Sequence, residues 1–480
     1  MRLNKAEILS PEEIKMIDEA TREVLSEIGL LVYSEKVLKL LAEKGAKVDF
    51  DSKIVKLSTK MIEQSLSSAP EEIKIFSRDM EYFLNIGNSK KTYTASGHNA
   101  IYYYDDKKME RRPVTKKEVG NFALISDYLD NIDIVGVEAM PQDVFPKASI
   151  LHAVDAVLNN TVKPVYFSPE NARETEALIK IMKIICGYDN ISEKPVGICQ
   201  ISPISPLTWS SGTAEALALL AQEKFPLLIL PEPYAGVTSP ITMAGLVTMN
   251  NIENLAGIIF SQLINPGSPV IYGAGWTTFE MKKSAVLIAA VERNICTVAG
   301  AQLANYYNNI PSHCIAFDTD SNIYDEQNGF EKIFNIISTI QSGIDVVINA
   351  GMIGTGMSVS YEQLIVDNEI AKFVRKYVDG IEVNKDTIGL DTIKSVGHHK
   401  NFMIEEHTFK YLRSKEYMEY DVSNRDIYDN WVKKGRPTIT DNAKVLANKI
   451  ISEHRIKSLS ADKKEKISRV LQDFENSFKN

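Results

Sequence analysis

The sequence predicts an α/β protein built on a (β/α)8 TIM-type barrel, with an N-terminal α-rich extension and additional C-terminal helices. Short apolar runs alternate with long helical segments from about residue 130 onward, and the runs end in polar, Gly, Pro or aromatic residues. The chain has 480 residues, 44% hydrophobic and 24% charged, which is typical of a globular protein with a large core. We expect an extension over residues 1–90, the barrel over 91–400 and a helical segment over 401–480.

The first element of the extension is a helix with a complete start signal. Ser10 is suited to the N-cap, Pro11 to the first helical position and Glu13 to the capping box, and the apolar stripe that follows stops at Gly29. A second helix is predicted after Ser34. A short strand over 54–57 and a third helix after it complete the predicted extension.

The barrel prediction depends on seven apolar runs that are typical of strands buried on both faces. The eighth strand is either Tyr93–Ser96 or a segment that the pattern does not identify, and a doubly wound open sheet is the competing architecture. In a parallel barrel the ends of the strands converge on one face, where active sites lie. The seven runs are 134–139, 164–167, 195–201, 225–230, 269–272, 314–317 and 345–349.

The last segment contains two charged helical stretches with little apolar surface, over 441–455 and 460–474. We expect them to pack on the outside of the barrel or to form a subunit contact. Whether the protein is a homo-oligomer is left open by the sequence.

Charge and composition argue against several classes of protein. The net charge is −9 and the isoelectric point is about 5.5, without an extended basic cluster, so a nucleic-acid partner is not expected. No run of about 18 apolar residues and no signal-peptide core occur, so we expect a cytoplasmic protein without a membrane partner. The four cysteines are widely spaced in apolar surroundings and are predicted to be buried thiols.

Two further motifs resemble known ligand-binding sites without matching their spacing. His398 and His399 with Glu405 and His407 suggest a metal site, but the helical HExxH geometry is absent and we predict no metal. The glycine-rich stretch 350–357 lacks the spacing of a nucleotide-binding loop and is interpreted as a surface that permits close approach of a large cofactor.

Several motifs together resemble one family. The stretch 257–273, GIIFSQLINPGSPVIYG, closely resembles the trimethylamine methyltransferase family. Four other motifs match the family in its order along almost the whole chain: KPVYFSP at 163–169, ISPISPL at 201–207, PEPYAGVTSP at 231–240 and SYEQLIVDNE at 360–369.

The resemblance implies a barrel enzyme that moves a methyl group from an amine to the cobalt of a cognate corrinoid protein. No cofactor would be bound permanently, because the partner presents the corrinoid. Archaeal members insert pyrrolysine to activate trimethylamine, whereas this sequence contains only the twenty common residues. It therefore resembles the branch that acts on quaternary amines such as glycine betaine, proline betaine, carnitine or γ-butyrobetaine.

A quaternary nitrogen needs no general acid, since it leaves as a neutral tertiary amine. The protein must hold a soft cation in a partly desolvated site, and aromatic faces suit that task at about 0.5–2 kcal/mol per contact. Trp276 is the ring favoured for binding the cation, because it directly follows a Gly-Ala-Gly turn. For each aromatic candidate, the alternative is that its ring packs the rim of the barrel. The aromatic candidates at strand ends are Tyr166, Phe167, Trp209, Tyr234, Trp276 and Phe279.

Polar candidates stand at the same strand ends. His98 and His313 could contact a substrate carboxylate, and structural hydrogen bonding is the alternative for each. The acids Glu232, Asp318 and Asp320 could offset the positive charge of the amine. We assign Asp318 and Asp320, with Trp276, to the catalytic residues. The alternative role for the two acids is to cap the following helix or to fix the loop. Gln200 and Asn349 are neutral candidates on the same face.

Two other functions remain open at this point. A metal-dependent barrel hydrolase or lyase could be built on His98, His313, Asp318 and Asp320. A noncatalytic module that binds a betaine or docks a corrinoid protein is the second alternative.

Overall fold

Eight parallel strands form a nearly closed barrel at the centre of the computed structural model, which describes residues 5–87 and 91–479. The strands are hydrogen-bonded in chain order, β8 pairs with β1, and a bridge between Ala95 and Ile134 joins β1 to the start of β2. The barrel prediction is therefore confirmed, and the competing open sheet is not the fold. The strands are β1 (Tyr93–Ser96), β2 (Val135–Gly136), β3 (Val165–Phe167), β4 (Gly197–Ile201), β5 (Leu227–Ile229), β6 (Val270–Ala274), β7 (Ser312–Ile315) and β8 (Val346–Ala350).

One helix follows each strand, and most of these helices begin at a polar side chain that caps the first turn. Thr115, Asn171 and Ser210 are such caps, and each accepts a hydrogen bond from a backbone N–H of the first turn. The helices are α1 (Lys116–Tyr128), α2 (Ser149–Asn160), α3 (Ala172–Cys186), α4 (Ser211–Gln222), α5 (Met243–Ile264), α6 (Val291–Tyr306), α7 (Glu326–Ser342) and α8 (Tyr361–Asp379).

A strand is present at each predicted run, but one of the strands begins earlier than its apolar run. Tyr93–Ser96 is the eighth strand, and it pairs with β8 at Val346 and Val347. The run predicted over 314–317 begins two residues earlier, at Ser312. The apolar pattern missed Ser312 and His313 because both are polar, although both are buried within the sheet.

Alternating side chains of the strands divide the barrel into an inner and an outer core. Inside the barrel, Ile134, Tyr166, Ile198, Leu228 and Ile271 pack together, whereas the alternate residues face the helices. The hairpin Glu72–Phe76 and Phe83–Gly87 adds Ile73, Ile75 and Ile86 to the inner core. Because Phe76 N–H bonds to the carbonyl of Pro195, just before β4, this hairpin closes the amino-terminal end of the barrel.

The rest of the extension mixes helices with short strands. The predicted capping box at Ser10 and Glu13 is present, and the following helix, Pro11–Glu23, continues as a π-helical turn to Ile28. The further helices are Glu35–Glu43 and Thr59–Ser68, and the strands Leu30–Val32, Lys47–Asp49 and Ile54–Lys56 form a sheet with Thr208–Trp209. The predicted boundary after residue 90 adjoins segment 88–90, which, like residues 1–4, lies outside the described residues.

Additional elements surround the carboxyl-terminal end of the barrel. The strands Tyr102–Asp105, Glu110–Pro113, Met352–Ile353 and Ser358–Val359 form one small sheet, and the hairpin Thr278–Glu280 and Ala285–Leu287 follows β6. These elements border the region where the barrel strands end.

The last part of the chain is helical, as predicted. Ile439–Glu453 packs against α1 and α8, and Ala461–Asn476 packs against α2 and α3. The shorter helices are Lys385–Ile388, Leu390–Val396, Glu406–Leu412 and Tyr428–Lys433. Among residues 5–87 and 91–479, no helix has the length and apolar character needed to cross a membrane.

Candidate active site

A layer of polar and aromatic side chains lies inside the barrel, on the inner apolar core. The hydroxyl of Tyr166 on β3 donates a hydrogen bond to Oε1 of Gln200 on β4. The ring of His313 on β7 stacks on Tyr166, with centroids 6.1 Å apart and planes inclined by 7°. The ring of His98, just after β1, meets Tyr166 edge-on at 5.3 Å. The barrel thus brings together His98, Gln200 and His313, which are far apart in the sequence.

Both histidines of this layer are neutral near pH 7. Burial lowers the pKa of His98 to about 4 and that of His313 to about 3, because an imidazolium would lose its hydration there. Nε2 of His98 and both ring nitrogens of His313 have no hydrogen-bond partner within the described ranges. Neutral imidazoles with unused nitrogens are available to a polar group of a ligand.

A carboxylate lies at the end of the neighbouring strand. Asp318 follows β7, and its two oxygens accept hydrogen bonds from Nδ2 of Asn349 at 3.1 and 3.3 Å. Asn349, at the end of β8, has a φ of 82°, a left-handed conformation that Asn adopts more readily than most residues. Burial raises the pKa of Asp318 to about 6, while the charge of Arg293 and the bond from Asn349 oppose the increase.

Glu232 lies in the turn after β5. Its side chain is exposed, yet the surrounding protein raises its pKa to about 7 by restricting hydration. Arg293 lowers that pKa and Asp318 raises it, so the three charges act on one region after β5, β6 and β7. An accessible carboxylate with a raised pKa is the combination expected on the wall of a cavity rather than in bulk solvent.

Arg293 is a site residue that the sequence analysis missed. It occupies the first turn of α6 and is 1% exposed, and its Nη2 donates a hydrogen bond to the carbonyl of Ile315 at the end of β7. Its charge acts on the pKa values of Glu232, Asp318 and His313. An arginine directly after a helix start at the carboxyl-terminal face of a barrel was the signal that could have identified it.

Trp276, the ring that the sequence favoured for binding the amine at the strand ends, is instead packed in the outer core. Trp276 is 0% exposed and belongs to the outer core with Tyr272 and Ala274. A Cβ built on Gly300 of α6 would lie 2.5 Å from Cη2 of Trp276, so the indole fills the space beside that glycine. Ile271 faces the inside of the barrel, and successive residues of a strand point to opposite sides. Trp276, five residues further on, is therefore expected to point outward, and this signal in the sequence was overlooked.

Two other predicted rings, Phe167 and Trp209, are likewise buried in the outer core, whereas Tyr234, Phe279 and Asp320 lie at the rim. Tyr234 is half-buried in the turn after β5, where it forms a bridge with Thr277, and Phe279 is half-buried in the hairpin after β6. Asp320 accepts hydrogen bonds from the backbone N–H groups of Ile288 and Ala289 at 3.0 and 3.2 Å. Those contacts match the loop-fixing alternative for Asp320, and burial raises its pKa.

The cysteines and the candidate metal-binding side chains were both considered in the sequence. All four cysteines are free and buried, as predicted. In the part of the chain that the structure describes, no three His, Cys, Asp or Glu side chains are grouped so that they could hold a metal ion. The hydrolase alternative, built on His98, His313, Asp318 and Asp320, thus finds no such grouping at these residues.

Fold and site together define a (β/α)8-barrel protein with a polar, partly charged interior at the carboxyl ends of its strands. Comparison with known proteins gives the class more closely. Residues 1–477 match the family model described as trimethylamine methyltransferase (MTTB), and the chain belongs to this family. The resemblance inferred from the sequence motifs is confirmed, and the protein is a methyltransferase of this family.

Individual relatives cover most of the chain. It is 31% identical over 446 residues to trimethylamine methyltransferase MttB of Desulfitobacterium hafniense, which spans 93% of this chain and 89% of the relative. It is also 31% identical over 435 residues to the glycine betaine methyltransferase of a second strain of that species, with 90% of each chain covered. The solved monomethylamine methyltransferase of Methanosarcina barkeri shares the fold, with a TM-score of 0.51, 10% identity and coverage of 97% and 92%.

Proposed function

We propose that this protein transfers a methyl group from a quaternary amine, a betaine such as glycine betaine, proline betaine, carnitine or γ-butyrobetaine, to the cobalt(I) of a corrinoid held by a partner protein. The observation that carries the proposal is the exposed carboxylate of Glu232, whose pKa the surrounding protein raises, at the carboxyl-terminal end of a barrel of this family. A relative of similar length is a glycine betaine methyltransferase, which supports the same substrate class.

The charges of the site suit a cation. Glu232 and Asp318 supply two carboxylates against the single guanidinium of Arg293, and His98 and His313 stay neutral. A quaternary nitrogen in this region would favour ionised Glu232, because an opposite charge in a poorly hydrated site lowers the pKa of a carboxyl. Tyr234 and Phe279 offer half-buried rings at the rim for the N-methyl groups.

The proposed reaction needs no proton transfer from the protein. One methyl carbon moves to the cobalt, the electron pair of the broken C–N bond stays on nitrogen, and a neutral tertiary amine leaves. The residues of this chain bind the amine, orient one methyl group toward the opening and restrict water. Neutral His98 and His313 are consistent with this chemistry, since neither has to act as an acid.

The mouth of the barrel offers a surface for the corrinoid-carrying partner. Exposed apolar side chains stand on the loops after β5 and β6, where a Cβ built on Gly236 would lie 2.3 Å from Met281 Cε and 3.3 Å from Ile241 Cγ1. Met357, after β8, is also exposed. An apolar rim around a polar cavity suits the docking of a protein that presents a planar macrocycle.

The test combines the purified protein, cobalt(I) cobalamin or a reduced corrinoid protein, and a panel of betaines, with methylation of cobalt followed by absorbance. At least one betaine should methylate cobalt, and Glu232→Gln should raise KM for it by about tenfold or more, through loss of a charge contact of about 1.5–3 kcal/mol. Glu35→Gln, at an exposed position of the extension, is the matched control.

Methylation by no member of the panel would overturn the proposal. Tight betaine binding without turnover, even alongside several corrinoid proteins, would favour the noncatalytic module instead. Stoichiometric metal bound at His98, His313, Asp318 and Asp320 in the purified protein would favour the hydrolase or lyase.

A further inference from the structure

Arg293 carries more hydrogen-bonding capacity than the protein around it uses. Nε and Nη1 of its guanidinium are buried without a hydrogen-bond partner among residues 5–87 and 91–479, while Nη2 bonds only to the carbonyl of Ile315. Unused donors on a buried cation are costly, because each has lost its water without a replacement. Such donors point to an anionic group that is bound during function.

The acids near Arg293 do not supply that group. Glu232 and Asp318 interact electrostatically with the guanidinium, yet no ion pair within 4.0 Å forms between Arg293 and a described carboxylate. The oxygens of Asp318 are instead bonded to Asn349. Opposite charges that act on one poorly hydrated region without forming an ion pair suit a ligand that carries both signs.

We propose that Arg293 binds the carboxylate of the substrate, so that the enzyme selects zwitterionic betaines over quaternary amines that have no carboxylate. This inference rests on the proposed methyl transfer from a quaternary amine. The planar guanidinium matches two carboxylate oxygens, and Glu232 then faces the ammonium end of the same molecule. Because the free donors have no accessible surface, binding includes a shift of the side chains that cover them.

The position of Arg293 supports a binding role over a role in the packing of the helices. Its side chain extends from the first turn of α6 to the end of β7, which brings its charge to the face where β5 and β7 present Glu232 and Asp318. A packing residue there would need no charge, and burying a lone guanidinium for packing alone would destabilise the fold. His313, whose pKa the same charge lowers, is a neutral neighbour that can contact a ligand without competing for a carboxylate.

The experiment compares ligands that differ only in the carboxylate. Glycine betaine, proline betaine, carnitine and γ-butyrobetaine are each paired with the corresponding primary amide. Binding is measured by calorimetry on the protein alone, and methylation of cobalt is measured separately. The wild-type protein should bind at least one betaine roughly 10²-fold more tightly than its amide, as expected for a charge-assisted bidentate contact.

Substitution of Arg293 should remove this preference. In Arg293→Gln the betaine-to-amide ratio should fall to near one, with little change in the affinity for the amide. Arg293→Lys keeps the charge without the planar fork and should give an intermediate ratio, which tests the inference if Arg293→Gln does not fold. Arg375→Gln, which removes a guanidinium bonded to Asp133 before β2, is the control that should keep the wild-type ratio.

The experiment distinguishes a failure of the role proposed for Arg293 from a failure of the proposed methyl transfer. Equal use of a betaine and its amide by the wild-type protein would overturn the role of Arg293 and leave methyl transfer from a quaternary amine intact. An equal loss of affinity for both ligands in Arg293→Gln and Arg293→Lys would also overturn it, since that is the result of a structural role. Absence of binding and methylation with every quaternary amine would overturn the proposed function itself.

Discussion

Nδ2 of Asn349 donates a hydrogen bond to the carboxylate of Asp318 at 3.1 Å, joining the ends of two neighbouring barrel strands. The bond lowers the pKa of Asp318, which burial alone would raise further above its usual range. The left-handed φ of Asn349 allows this arrangement, because it departs from the extended backbone of β8 at the point where the strand ends.

Asn349→Gly tests this contact with little backbone strain, since Gly tolerates the same φ of 82°. Loss of the donor should raise the pKa of Asp318 above about 6, so the binding of a quaternary amine should weaken at a higher pH than in the wild-type protein. Titration of betaine binding by calorimetry from pH 5 to pH 8 measures the shift. Asn309→Gly, at another left-handed position in an exposed turn, should leave the profile unchanged. An unchanged profile in Asn349→Gly would contradict the prediction.

Glu232 should make the protein less stable as the pH rises. Its pKa is raised from 4.5 to about 7, so between these values the folded state retains a proton that the unfolded state has lost. The free energy of unfolding of the wild-type protein therefore decreases as the pH rises through this window. Glu232→Gln has a neutral side chain at every pH and should not show this decrease. After allowance for partial access of solvent, its melting temperature should exceed that of the wild type by about 1–3 °C at pH 8.

The difference between Glu232→Gln and the wild-type protein should shrink toward pH 5, where both side chains are neutral. Differential scanning calorimetry at the two pH values measures it. A difference that is equal at pH 5 and pH 8 would show that Glu232 does not titrate in this way.

Lys332 and Asp367 form a completely buried ion pair, with Nζ and Oδ2 2.8 Å apart. Nζ also donates to the carbonyls of Phe317 at 2.6 Å and Met352 at 2.8 Å, which ties the segments after β7 and β8 to α7. Lys332→Met should lower the free energy of unfolding by about 3–5 kcal/mol, because it leaves a buried carboxylate without its charge partner. Denaturant unfolding measures this loss.

The control is Lys410→Met, which removes the exposed ion pair with Asp386 and should change stability far less than Lys332→Met, because water screens exposed charges. If both Lys variants were equally stable, the buried pair would not support the strand ends as described.

Trp276 should matter for stability and not for the choice of substrate. Trp276→Ala should cost about 3–5 kcal/mol, because it empties the space beside Gly300 in the outer core. Trp276→Phe retains part of that packing and should fold, with betaine affinity close to that of the wild-type protein. Calorimetric binding to Trp276→Phe is the measurement, and exposed Tyr417→Ala serves as a surface control. A selective loss of betaine affinity in a folded Trp276→Phe would restore Trp276 to the binding site.

The sequence by itself determined the architecture and many local boundaries of this protein. The spacing of apolar runs and helical segments predicted the barrel, since a strand buried on both faces and a helix beside it have distinct periods. The caps at Ser10 and Ser34 likewise act within a few residues of themselves, and both are present. The motifs identified the family because they span almost the whole chain.

Only the tertiary structure decided which side chains meet. Closure of the barrel brings His98 to Tyr166 and His313, and the first turn of α6 brings Arg293 to the strand ends that carry Glu232 and Asp318. It also decided that Trp276 faces the helices. Periodicity is a property of neighbouring residues, whereas the direction of a long side chain and the charges around it depend on how distant segments pack. The pKa values of Glu232 and Asp318 are raised because that packing removes water.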